Sequence, residues 1–225
     1  MTQAIDLANA INSFVVGCKQ DGIWDPIKAC CIMAAWDGLN GALYPLKGTA
    51  PTNNNFVSGD YNRETGLVGD GSTKYLDSNR NNNADPQDSK HMSAYASELG
   101  VNFESYVGIA SVNGSSHLSA NITTNGIGCR INSNGGSSNT IHSVGLQAAN
   151  RSNSTTVSLR SGGVTTGNLS QASSSPASAN MLVFSGAAPF STGRLAFYSI
   201  GESLDLAKLD TRVSDLITAI GAAIP

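Results

Sequence analysis

The sequence predicts a mainly β fold: an antiparallel two-sheet jelly-roll sandwich, with short N-terminal helices before it and one C-terminal amphipathic helix after it. Apolar residues recur at helical spacing near both ends of the chain and at every second position between them. Composition agrees. With 30 Ser, 22 Asn and 24 Gly among 225 residues and only 13% charged, the chain suits short strands joined by polar turns and argues against a helical bundle. The expected division is a helical segment over 1–37, the sandwich over 38–201 and a helix over 202–225 that packs on the same domain.

Residues 2 to 16 carry Ala4, Leu7, Ala8, Ile11, Phe14 and Val15, one stripe of a helix that Thr2 can cap and Gly17 can stop. Asp25-Pro26 offers an N-cap followed by proline at the first helical position, and Ile27, Cys30, Cys31 and Ala34 predict a second helix over 26–35. Trp24 and Trp36 flank it and are expected to pack at the domain edge. From Gly38 to Gly201 the apolar residues alternate. Ile127, Cys129 and Ile131 share one face, as do Val144, Leu146 and Ala148, and then Val157 and Leu159. Leu195, Phe197 and Ser199 are expected opposite Ala196, Tyr198 and Ile200. Asn113-Gly114, Asn134-Gly135-Gly136 and Ser161-Gly162-Gly163 mark hairpin turns, and Gln171 to Ala179 reads as an exposed loop. Near 203–223, Leu209, Val213, Leu216, Ile217 and Ile220 form an amphipathic stripe, with Ser203 as N-cap and Asp205 at the positive end of the dipole. The stripe is expected to pack against Leu7, Ile11 and Phe14 of the first helix.

A formal charge of -3 gives no electrostatic footprint for nucleic acid. No apolar run approaches the roughly 20 residues a membrane-spanning helix needs, and no signal peptide is legible, so a soluble chain without an address is expected. Cys18, Cys30, Cys31 and Cys129 lack metal-ligand spacing, and an adjacent Cys30 and Cys31 on a helix would point to different faces, so buried free thiols are expected. No G-x-S-x-G elbow, phosphate loop or carboxylate pair suited to glycoside cleavage is present, and His91, His117 and His142 lie far apart. The chain therefore reads as non-enzymatic, without metal or cofactor. Asn81 to Asp88 is rich in oxygen but lacks the spacing and the bidentate Glu of a calcium loop, so an Asx-rich turn is expected, and a cation near Asp85 and Asp88 stays open. Tyr61, Arg63, Tyr75, Asn79 and Arg80 lie near the same turns and offer rings for stacking and polar groups for sugar hydroxyls, a candidate glycan-contact set.

The run from Gly41 to Val57, followed by Asp60 to Arg63 and Gly66 to Asn79, resembles the opening of the jelly-roll domain in structural proteins of tailed bacteriophages, particularly those of marine cyanobacteria. Gly193 to Val213 resembles the closing strand and terminal helix of that domain, and with Ala10 to Ile32 the likeness covers nearly the whole chain. The resemblance implies a concanavalin A-like, laminin G-like sandwich in a virion structural protein, and no catalytic or ligand residues. The expected role is a non-enzymatic component on the virion exterior, as capsid decoration or a small tail appendage, assembled in the cytoplasm of a bacterial host. Its expected partners are other virion proteins and further copies of itself. The alternative is a carbohydrate-binding adhesin module that recognises host-surface glycans. No heptads, collagen repeats or solenoid repeats that would build a fibre shaft are present.

Overall fold

The computed structural model describes residues 2–101, 103–110, 112–121, 125–187 and 189–224. Three helices occur among them, α1 (Thr2–Gln20), the short α2 (Leu39–Ala42) and α3 (Leu206–Ala223). The strands in chain order are β1 (Ile27–Ile32), β2 (Pro45–Lys47), β3 (Thr52–Asn54), β4 (Tyr61–Asn62), β5 (Gly66–Val68), β6 (Tyr75–Asn81), β7 (Lys90–Glu98) and β8 (Phe103–Gly108). They continue with β9 (Ser115–Asn121), β10 (Gly126–Ser133), β11 (Ser137–Asn139), β12 (Gly145–Arg151), β13 (Thr156–Ser161), β14 (Val164–Thr165), β15 (Leu169–Ser170), β16 (Asn180–Val183) and β17 (Arg194–Gly201). One sheet runs β14-β13-β12-β7-β17-β1-β2, with β15 beside β13, β5 beside β17 and β4 beside β5. The second runs β11-β10-β9-β8-β16-β6-β3. Neighbouring strands pair antiparallel in both sheets, which stack face to face into a sandwich.

Alternation decides the layers. Leu118, Ile127, Cys129, Ile131, Val157 and Leu159 turn inward and meet Met92, Leu195 and Tyr198 in a core between the sheets. The first sheet is buried on its other face as well, where Ile27, Ile32, Leu146, Ala148 and Phe197 meet Phe14, Leu209, Val213, Leu216 and Ile220. The molecule is therefore three layers deep: helices, first sheet, second sheet. In α3, Leu209, Val213, Leu216 and Ile220 are buried and Ile217 is half-buried, so the stripe packs within its own chain.

Five expectations need correction. Residues 27–32 form strand β1, not a helix, pairing with β17 and β2. A strand buried on both faces has no polar side, so Ile27, Cys30 and Ile32 face the helices while Cys31 faces the sandwich, which imitates helical spacing. Helix α1 runs through Gly17 to Gln20, and a Cβ at Gly17 would lie 2.7 Å from Cζ of the Arg212 side chain on α3. Asp205, not Ser203, caps α3 by accepting from the Ala207 and Lys208 amides at 2.8 and 3.1 Å. In β17 a register shift between Leu195 and Phe197 breaks strict alternation, so Leu195 joins Tyr198 and Ile200 in the sandwich core and Phe197 joins Ala196 under the helices. The 171–179 segment has no regular structure, but Gln171 is buried and staples it, accepting from the Ile131 amide at 2.8 Å and donating to Cys129 O at 3.1 Å.

Candidate functional site

The same alternation that buries Leu118, Ala120, Ile127 and Cys129 turns the residues between them to the outer face of the second sheet. Register then assembles three rows across its strands. Gly108, His117 and Arg130 lie opposite one another. Ser119, Gly128 and Ser138 form the next row, and Phe103, Asn121 and Gly126 the third. The result is a groove of about 410 Å³ whose floor is Ser119, Gly128 and Ser138, with Phe103 on one side and His117 on the other. That volume lies within the range of small-molecule sites.

Each wall has a physical cause. Phe103 starts β8 and is 45% exposed, an aromatic ring left in water. His117 packs directly over Gly108, where a Cβ would lie 2.5 Å from the His117 Cβ, so only glycine admits the imidazole there. Burial, with the neighbouring Arg130 charge, lowers the His117 pKa to about 4, so the ring is neutral near pH 7. Its buried Nδ1 has no hydrogen-bond partner among the described residues. Gly128 is different from Gly108. A Cβ at Gly128 would meet nothing closer than 3.6 Å, and its φ is not in the left-handed region, so neither packing nor backbone demands a glycine. What its missing side chain provides is depth in the floor.

The residues singled out from the sequence lie elsewhere and do not converge. Tyr61 donates its hydroxyl to Trp36 O at 2.6 Å, and burial pushes its pKa up to about 12. Arg63 donates to Ala35 O at 3.3 Å and pairs with Asp37 at 3.2 Å. Tyr75 packs on the sandwich core with its ring 6.0 Å from that of Phe190. Asn79 ties β6 to the chain before and within β3, donating to Ala50 O at 2.8 Å and to Thr52 Oγ1 at 3.0 Å. Arg80 forks onto Asp85, with its Nε at 3.1 Å from Oδ2. Asp85 is itself buried and also has Lys90 Nζ at 3.8 Å, so two cations already face the carboxylate that a metal would need. Among the described residues no three His, Cys, Asp or Glu side chains converge as metal ligands. Trp24 packs into the helix-side core and carries Lys47 Nζ 4.9 Å over its ring, while Trp36 donates its indole N–H to Ile32 O at 2.7 Å.

Sequence reasoning missed Phe103, His117, Ser119, Gly128 and Ser138. The alternation of His117, Ser119 and Asn121 with Leu118 and Ala120 held the signal, but only the pairing register places it beside Gly128 and Phe103.

No protein-family model matches the chain, and no curated protein matches it. Solved structures do. The binding domain of botulinum neurotoxin serotype D superposes with a TM-score of 0.57 at 9% identity over 85% of this chain and 51% of that one. The receptor binding domain of the botulinum neurotoxin C/D mosaic serotype gives 0.56 at 10% identity, over 85% and 51%. A mutant Trypanosoma rangeli sialidase gives 0.50 at 11% identity over 91% of this chain and 38% of that one. The likeness is one of fold. It establishes the mainly β, two-sheet sandwich, and the chain spans about half the length of the toxin domains it matches.

Proposed function

We propose that this chain is a non-enzymatic recognition module that binds carbohydrate in the groove on the outer face of its second sheet. The observation that carries the reading is the row Ser119, Gly128 and Ser138 set between the exposed Phe103 ring and the neutral His117. A sugar presents hydroxyls at its edges and C–H groups on its faces. Serine hydroxyls along the floor serve the first, and an aromatic ring at the wall serves the second. No Asp or Glu lines the groove among the described residues, which fits recognition by hydroxyl and ring contacts. The fold shared with receptor binding domains of botulinum neurotoxins supports a binding role without specifying a ligand. Glycan-array binding by the wild type, lost in Gly128→Tyr and weakened in Phe103→Ala, is the expected result; an array without hits, or hits untouched by both changes, overturns the proposal.

A placement on a virion exterior, as the sequence resemblance implies, is the second reading. It draws support from the layering, because α1 and α3 cover the first sheet on the side opposite the groove and leave the groove facing away from a helical base. In that setting glycan binding would serve host attachment. Mass spectrometry of purified particles should find the chain in many copies, and its absence from particles sinks this placement.

A further inference from the structure

Helix α1 carries more apolar surface than it buries. Ala10, Phe14 and Cys18 sink into the helix-side core, whereas Leu7, Ile11 and Val15, one turn apart each, stay half-buried and form one wall of a second cleft of about 670 Å³. From Ala4 to Val15 that wall is roughly 16 Å long at the rise of an α-helix. The opposite wall is the Trp36 ring, and the rim carries Asn12, Asp37 and Arg63.

The aromatic wall is held rigidly. The Trp36 indole N–H bonds Ile32 O at 2.7 Å, its carbonyl accepts from the Tyr61 hydroxyl at 2.6 Å, and a Cβ on Gly41 behind it would come within 2.6 Å of the Trp36 Cβ. Ala35 beside it has φ 78°, a left-handed conformation unfavourable for alanine, and it is fixed by its amide on Arg63 O at 2.7 Å and by Arg63 Nε on its carbonyl at 3.3 Å. One turn therefore sets both a fixed ring and a guanidinium at the mouth of an apolar cleft. Among the described residues the carboxylate paired with that guanidinium is that of Asp37, whose side chain is 93% exposed, so the pair is a weak surface contact.

We infer that this cleft binds a single-chain anionic amphiphile, its alkyl chain lying between the Leu7, Ile11, Val15 wall and Trp36 and its anionic head on Arg63. The inference stands apart from the glycan reading, since the two sites share no residue. Head chemistry is common to carboxylates and phosphates, so both are tested.

In a Trp24→Phe background Trp36 is the sole indole, and its fluorescence reports the cleft. Titration of the full chain with sodium octanoate, decanoate and dodecanoate, below their micelle concentrations, should give saturable one-to-one curves, with affinity rising about fourfold per added methylene. Decyl phosphate should bind and 1-decanol should bind more weakly. Arg63→Gln should weaken decanoate at least about tenfold and leave 1-decanol unchanged. Ala8 is exposed at the cleft, so Ala8→Phe should abolish binding while circular dichroism and the melting temperature stay those of the parent. Three results overturn the inference: a non-saturable response, a response that Ala8→Phe leaves intact, or sedimentation showing a dimer that Ala8→Phe converts to monomer, which would mean that a second copy fills the cleft.

Discussion

Stability should fall as pH drops from 7 to 5, and His91 is the main cause. Its ring is fully buried between β7 and β17, with Nδ1–H donating to Glu202 O at 2.6 Å and Nε2 accepting from the Ser199 hydroxyl at 3.0 Å. Both ring nitrogens are thus satisfied in the neutral form. Burial lowers the His91 pKa to about 4 from an ordinary 6.5, with opposing help from Asp85 and with Lys90 and Arg80 adding to the depression. Between those values the unfolded chain binds a proton that the folded chain refuses, so stability falls as pH falls through this window. Linkage with these two values gives a loss of about 2 kcal/mol between pH 7 and pH 5. His117 and His142, whose pKa values burial also lowers, act in the same direction. Carboxylates held low by their partners, such as Asp60 beside Lys74, lose their contribution only at lower pH and do not confuse the window. Urea unfolding at half-unit steps from pH 7 to 5, for wild type and His91→Gln, reads the effect. A flat wild-type profile, or a slope that His91→Gln leaves whole, would refute the reasoning.

Asp205→Ala should cost about 1 kcal/mol by removing the cap of α3, whereas Ser203→Ala should cost almost nothing, and thermal or urea unfolding separates the two. Leu216, 2% exposed between α3, α1 and the first sheet, should destabilise the monomer by about 3 kcal/mol or more as Leu216→Asp, since an unpaired charge replaces an apolar contact. If that variant melts like the wild type, the packing of the two long helices is wrong. All four cysteines are free and buried, and burial pushes the thiols of Cys18, Cys31 and Cys129 up to about 12, so a thiol reagent should label none in the native protein and all four after unfolding.

The sandwich was legible wherever a strand has one wet face. Ile127, Cys129 and Ile131 alternate with Gly128 and Arg130, and the structure puts the first three in the core. It was misread where both faces are dry, as in β1, whose Ile27, Cys30 and Cys31 fall at helical spacing although the residues form a strand. The α3 stripe was legible because four of its five named residues are buried on one side while Lys208 and Asp215 stay exposed, and the one buried acid, Asp210, is paired with Arg160 at 2.6 Å. The groove was not. Its floor and walls come from four strands whose residues are 9 to 35 positions apart, and Ser, Gly and Asn between apolar neighbours look alike in every strand of this chain. Tyr61 and Arg80 attracted attention by residue type, yet their polar groups serve Trp36 O and Asp85 inside the fold. A ring or a guanidinium in a sequence does not reveal whether its hydrogen bonds are already taken.

The most direct test of the central claim is a map of backbone amide shifts in uniformly labelled protein as the best array glycan is added. The account predicts shifts that saturate at Phe103, His117, Ser119, Gly128 and Ser138 and vanish in Gly128→Tyr, with the amides of Tyr61, Tyr75 and Arg80 unmoved. Saturating shifts centred on Tyr61 to Arg80, with the groove amides silent, would contradict it.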